Sequence, residues 1–377
     1  MFFIILQLIF WSSIFLILYA YLGYPLLLKG ISLFMYKTVN KGTIFPPVSF
    51  IITAHNEESI IKSKIENTLS IDYPRDKLQI IIASDASDDA TDRYVLEYKN
   101  QGVELVRTPE RNGKENAQKY ALEQSQGGIL IFSDVATIVR PDAIRNIVSN
   151  FNDPSIGCVS SIDKFIDKEG NLSGEGAYLK YEMFLRNLET KVNTLVGLSG
   201  SFFAVRKEVC KNWRMDLQSD FNIVLNSVKM GLRGISDPLS IGYYKNIENQ
   251  KKEYDRKVRT VLRGITVFMK NLNLLNPLNY GMFSWQLLSH KLCRWLVPLF
   301  MIFAFISNLL LIKHSWLYFL LFLAHSSIYL LGYALKNSNS SWLKLPHYFL
   351  KVNQAILSAW IDYFRGKRYY YWTPSER

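Results

Sequence analysis

Residues 1–28 contain no Asp, Glu, Lys or Arg, and this gap in charge constrains the fold more than any other feature. A helix needs roughly 20 apolar residues to cross the hydrocarbon core of a bilayer, so the stretch is long enough to span. A cleaved secretory leader would begin with basic residues and end its apolar run at small ones, whereas MFFIILQLIFW opens with no charge. The reading is a retained membrane helix within residues 1–36. The same signal returns late in the chain. Residues 295–312 are charge-free, Lys313 and His314 interrupt, and 315–335 are charge-free again, which predicts a transmembrane hairpin over 295–335. Residues 345–364 mix Tyr348, Trp360 and Phe364 with Lys351 and Asp362. Together with the tail, this 342–377 region fits either a third span or an interfacial helix, with Arg365, Lys367, Arg368 and the aromatic run 369–372 at the lipid headgroups.

Basic residues flank these spans: Lys29, Lys37 and Lys41 follow the first, and Arg256, Lys257, Arg259, Arg263, Lys291 and Arg294 precede the second. The positive-inside tendency then puts residues 37–290 in the cytoplasm, against the inner (plasma) membrane. The 44 Lys and Arg exceed the 32 Asp and Glu by 12, and part of that excess reads as charge facing anionic lipid heads. Nucleic acid is excluded as a partner, because a tethered chain with no recognition motif has nothing to read it with. Apolar residues make up 49% and aromatics 14%, which excludes a disordered or collagen-like chain. Cys158, Cys210 and Cys293 are scattered, so neither a disulfide framework nor a zinc site is expected.

Between the membrane segments, short apolar runs alternate with helical patterns. Strands are predicted at 48–54, 78–84, 103–107, 129–132 and 202–203, and helices at 60–69, 114–124, from Pro141 onward and at 221–230. This alternation implies βαβ units, right-handed crossovers and a mostly parallel Rossmann-like α/β sheet over residues 45–245. Residues 246–294 read as amphipathic interface helices. For the basic stretch 249–271 a solvated or lipid-facing surface is the first reading and a gate over a nucleotide the second. Ligands of such sheets sit at the carboxyl ends of the strands, which picks out His55 to Glu58, Asp85 and Asp134. One acid at a strand end is commonly a cap or turn former. Converging acids cost free energy unless a cation or ligand shares the site. No GxGxxG follows a strand and no GxxxxGK[ST] occurs, so dinucleotide and P-loop chemistry have no support. Gly197 and Gly200 read either as a turn before the strand at 202–203 or as a loop beside an acceptor. His290 and Lys291 read as groups at the membrane surface that meet a diphosphate or lipid heads.

The segments PVSFIITAHNEE (47–58), IASDASD (82–88), Gly113-Lys114, FSDVAT (132–137), GSFFAVR (200–206), SDF (219–221) and QLLSHKLCRW (286–295) together resemble the family 2 glycosyltransferases, in order and spacing. The likeness covers about residues 45–300, and the flanking spans match the membrane-bound, processive-synthase-like branch. It implies a GT-A nucleotide-sugar domain. Thr53, Glu57 and Asp85 would line the nucleoside pocket, with Asp85 accepting from the base edge, and Lys114 would sit beside the nucleotide. Asp134 would hold Mg²⁺ or Mn²⁺ against the diphosphate, Asp220 would be the general base, and Arg294 and Trp295 would hold the diphosphate and frame the acceptor.

These residue types suit the chemistry. Transfer builds negative charge on the leaving diphosphate, which a hard cation and basic groups offset. A positioned carboxylate takes the acceptor's proton. Helix capping is a compatible structural role for Asp220. The sequence departs from the family pattern at two places: Ala136 replaces the second acid of Asp-x-Asp, and Ser219 replaces the acid before Asp220. The expected function is inverting transfer from a UDP-sugar to a lipid-linked or growing surface glycan, among polysaccharide-synthesis partner proteins. A polyprenyl-phosphate sugar transferase and a non-catalytic nucleotide-sugar-binding subunit are the alternatives.

Overall fold

In the computed structural model the described residues are 1–166, 177–245, 250–335 and 345–369. Positions 246–249, at the start of the region read as interface helices, and 370–372 of the aromatic tail lie outside them.

The charge-free opening is helical throughout: α1 (Phe2–Leu18), a π-helical turn (Tyr19–Gly23) and α2 (Tyr24–Ile31) run on without a break. Most large apolar side chains of α1 face outward, among them Leu8, Trp11 and Phe15, as a lipid-facing helix requires.

The chain then enters the sheet. β1 (Val48–Ala54), α3 (Ile61–Leu69), β2 (Leu78–Ser84), α4 (Thr91–Leu96), β3 (Val103–Arg107), α5 (Lys114–Gln124) and β4 (Ile129–Asp134) form successive βαβ units. The first three strands match the expected bounds residue for residue; every side chain of β1 is buried, as a strand covered on both faces requires, while β3 buries Val103 and Val106 and exposes Glu104 and Arg107. Next come β5 (Ile138–Val139), α6 (Ala143–Ser149, with Asp142 at the N-cap position but no side-chain capping bond), β6 (Ile156–Ile166), α7 (Ala177–Val192), β7 (Phe202–Arg206), α8 (Ser219–Lys229) and β8 (Arg233–Lys245).

Strand order in the eight-stranded sheet is β3-β2-β1-β4-β7-β6-β8-β5. The first four strands are parallel; β7 runs antiparallel to β4 and to β6, and β8 is parallel to β6. Six of the eight strands thus run one way, as a mostly parallel sheet requires, and β7 and β5 run against them. β7 sits between β4 and β6, and β6 and β8 pair across about 75 residues of sequence that no local pattern links.

One face of the sheet is packed by α3, α4 and α6 around Phe50, Ile52, Ile61, Ile65 and Ile147. The other face carries α5, α8 and α9 (Gln250–Met269). This second core is continuous from Ile51 and Phe132 through Leu262 and Phe268 to Trp295, Ile356 and Trp360, so sheet and membrane helices share one apolar interior. α10 (Pro277–Tyr280) and α11 (Met282–Leu287) lead through a second π-helical segment (Leu288–Cys293) into α12 (Arg294–Leu311), followed by α13 (Trp316–Ala334) and α14 (Leu345–Phe364).

Three helical stretches among the described residues are long and apolar enough to cross a membrane: Phe2–Ile31, Met282–His314 and Trp316–Ala334. The second begins before the span expected at 295. α14 falls short of that criterion and packs against α9, α12 and α13, burying Ala355, Ile356, Ala359 and Trp360.

Candidate active site

The carboxyl ends of β1, β2 and β4 are side by side, with Thr53 in register with Asp134 on one side and Ala83 on the other. Two non-glycine residues just beyond these ends have left-handed backbone, Asn56 (φ 53°) and Ala86 (φ 49°). Such strain persists only where its surroundings over-determine it, and it concentrates at functional loops. Asp85 is 1% exposed; its two oxygens accept from the backbone N–H groups of Asn112 (3.0 Å) and Gly113 (2.9 Å), and His55 Nδ1 lies 2.8 Å from its carbonyl. Asp85 therefore fixes the turn that delivers Lys114. Lys114 Nζ, at the start of α5, reaches Asp134 Oδ1 (2.5 Å) and the Gly200 carbonyl (3.0 Å). Beneath Asp134, Lys64 is 3% exposed; its ammonium donates to Ser133 Oγ (2.9 Å) and to the Thr137 carbonyl. Burial brings Lys64 down to about 7, against the pull of Asp134.

Asp220 is the second residue of α8, whose N-cap is Gln218, so it is a first-turn residue and not the cap. Its Oδ1 accepts from the Phe221 N–H (2.7 Å) and its Oδ2 from Gln218 Nε2 (3.1 Å). A Cβ at Gly200 would collide with Asp220 Oδ2, so glycine there is what lets the carboxylate lie beside the loop. Burial pushes the Asp220 carboxyl above its ordinary range, although Lys114 and Arg263 pull the other way.

Glu57, Lys114, Asp134 and Asp220 line one cavity of about 220 Å³. Its far wall is α9, whose Arg256, Arg259 and Arg263 lie at helical spacing on one face. Arg263 pairs with Glu115, while Arg259 is held below its ordinary value by burial and by its two arginine neighbours. Asp163 of β6 also lines this cavity; its Oδ1 accepts from Ser199 (2.6 Å) and Ser201 (2.7 Å).

A second cavity, about 410 Å³, opens from the first. Asp163, Ser199, Gly200, Asp220 and Arg256 face both. Beyond them it is lined by Arg186, Lys291, Arg294, Trp295, Tyr21 and the inner face of α14. Arg294 Nη1 pairs with Glu182 Oε1 (2.6 Å). Burial pushes the Glu182 carboxyl up, but Arg294 and His290 outweigh it and hold it well below the usual range. Trp295 packs edge-on to Phe221 and Phe268, with Gly264 leaving room for its ring.

Residues 49–214 match the family model described as Glycosyl transferase family 2. Over that segment, a little under half of its length, the chain carries a family 2 glycosyltransferase domain. It is 25% identical over 181 residues to the poly-beta-1,6-N-acetyl-D-glucosamine synthase of Staphylococcus epidermidis, covering 45% of this chain and 42% of that protein. It is 23% identical over 197 residues to the hyaluronan synthase of Streptococcus pyogenes, covering 49% and 46%. The chain thus spans about half the length of these curated relatives. A solved mannosyltransferase, PcManGT from Pyrobaculum calidifontis with GDP-Man and Mn2+, superposes with a TM-score of 0.78 at 20% identity, over 96% of this chain and all of that one, which shows the GT-A-like fold.

The structure brings Glu57, Lys114 and Asp134 of the matched segment to one cavity with Asp220, which lies beyond it. It does not bring Asp85 or Thr53 to that cavity's lining; Thr53 Oγ1 is buried without a hydrogen-bond partner at the end of β1. Arg294 and Trp295 line the second cavity and not the first. Besides Lys114, the basic residues that share a cavity with Asp134 are Arg256, Arg259 and Arg263 of α9, so one face of that basic stretch is turned to the cavity. The signal available in sequence was the i, i+3, i+7 spacing of Arg256, Arg259 and Arg263. Asp163 gave none, since a lone acid on a strand looks like any solvent-facing residue.

Among the described residues no group of three or more His, Cys, Asp or Glu is placed to hold a metal. With Ala136 in place of a second acid, Asp134 can supply one protein ligand, and this fits a divalent ion whose shell is completed by substrate phosphates and water.

Proposed function

We propose that this chain transfers a sugar from a nucleotide-sugar, read from sequence as UDP-linked, to a lipid-linked or growing surface glycan. The observation that carries the reading is the shared cavity of Lys114, Asp134 and Asp220, joined at Asp220 to a second cavity against the membrane helices. The donor's diphosphate would lie between Lys114, Asp134 and the arginines of α9. A Mg²⁺ or Mn²⁺ ion held by Asp134 and the phosphates would supply charge neutralisation of the leaving group. Lys114 and Arg259 favour the same developing charge from fixed positions. The acceptor oxygen forms its bond to the anomeric carbon as the bond from that carbon to the diphosphate oxygen breaks, with inversion. The hydroxyl proton passes to Asp220, and the nucleoside diphosphate leaves with the electron pair. The basic residues after α2 and before α12 support a catalytic domain on the cytoplasmic side of the inner membrane.

The test incubates purified protein with a panel of UDP- and GDP-sugars and measures released nucleotide. Asp134→Ala and Asp220→Asn are each expected to lose about 10²–10⁴-fold of the turnover. Full activity in both variants would sink the proposed site.

A further inference from the structure

The second cavity combines features that a neutral sugar does not require. Its lining includes the apolar side chains of Leu198, Phe221, Val261, Val352 and Ile356. It also presents Arg186 and Lys291. Arg294 is committed to Glu182 and Lys257 to Glu253, but among the described residues neither Arg186 nor Lys291 has a carboxylate at ion-pair distance. The polar contact of Arg186 is Ser160 Oγ at 3.3 Å, and Lys291 Nζ stands 5.1 Å from the centre of the Phe221 ring. Two cations in such a partly dehydrated place cost free energy that an anion would offset.

The backbone points to the same spot. Each of the two helices that bring membrane residues to the cavity is interrupted there by a π-helical segment, Tyr19–Gly23 and Leu288–Cys293. The two segments are joined by Tyr19 Oη and Ser289 Oγ at 2.7 Å, and they supply Tyr21 and Lys291 to the cavity wall. Such local π turns recur at functional sites, where they re-aim side chains.

We infer that the acceptor is a membrane lipid whose headgroup carries a phosphate, seated on Lys291 and Arg186 with its hydrocarbon against the apolar side chains and a hydroxyl turned to Asp220. This rests on the reading of Asp220 as the base shared by the two cavities. Phe221, which carries Lys291 on its ring, is the residue next to Asp220, so a phosphate at Lys291 sets the neighbouring hydroxyl at the reacting end.

The full chain in detergent is titrated with dioleoyl phosphatidylglycerol and with neutral dioleoylglycerol by native mass spectrometry. UDP binding is followed separately by calorimetry. The phosphate lipid should bind about tenfold tighter or more, the worth of one hydrogen bond between charged groups. Lys291→Met and Arg186→Met should each remove most of that preference, Lys291→Arg should keep it, and all three should bind UDP as the parent does. Equal binding of the two lipids would overturn the inference, as would a preference that survives both Met variants. Binding of sn-glycerol 3-phosphate as tight as that of the lipid would overturn it too, because the apolar side chains would then contribute nothing. Failure of the donor reading would appear separately, as loss of UDP binding with the lipid preference intact.

Discussion

Asp220 accepts hydrogen bonds from Phe221 and Gln218, yet burial leaves its carboxyl above the ordinary range. A base works only when unprotonated, so transfer should rise with pH through this raised pKa. The acid limb of kcat/KM should therefore have its midpoint above the value of about 3.9 for a free aspartate. A limb at or below that value, or one that persists unchanged in Asp220→Asn, would remove Asp220 from the role. Ala86 offers a test of stability at the same rim. Its left-handed backbone costs an L-residue about 1–2 kcal/mol, part of which glycine would return as unfolded-state entropy. Ala86→Gly should stabilise the protein by a net of about 0.5–1 kcal/mol in thermal unfolding. A lower unfolding temperature would mean that the methyl group has a packing role.

At the scale of elements, α9 has a double task. Val258, Leu262, Ile265 and Phe268 join the common core, while Arg256, Arg259 and Arg263 crowd the cavity that Asp134 lines. Crowded like charges weaken the free protein and strengthen anion binding, so the two effects should separate on substitution. Arg259→Gln should weaken UDP binding about tenfold or more, the worth of a charged hydrogen bond, with no fall in unfolding temperature. Unchanged UDP affinity measured by calorimetry would return α9 to a purely structural part. The strands β1, β2 and β4 were the readable strands, because near-complete burial made them mainly apolar runs with polar residues at or just beyond their carboxyl ends. β6 stayed hidden as its outer part is only half-buried and mixes Asp163 and Lys164 with Ile162 and Phe165.

Across the whole molecule the catalytic sheet is seated on the membrane helices through α7. Glu189 is fully buried, and its Oε1 accepts from Tyr24 Oη (2.8 Å) and from His290 Nδ1 (2.7 Å), which ties α2, α7 and the π segment before α12 at one atom. Removing it leaves two buried donors without an acceptor, at about 1–3 kcal/mol each. Glu189→Ala should therefore unfold at lower temperature in detergent, and Trp285, which packs on Tyr24, should report the loosened seat by its fluorescence. An unfolding temperature equal to that of the parent would show that the two units are held by apolar contact alone.

From the order of its residues alone the chain determined its membrane helices, its first four parallel strands and the acids at their tips. Those features depend on burial and charge along a local stretch, which composition records directly. The partners of those acids were decided by distance in space. Arg259 faces Asp134 because α9 crosses the sheet, Arg294 turns to Glu182 because α7 lies against the membrane helices, and Asp85 is occupied by the turn before Lys114. Contacts between residues 20 to 150 positions apart leave no period in the sequence, and only the packed core sets them.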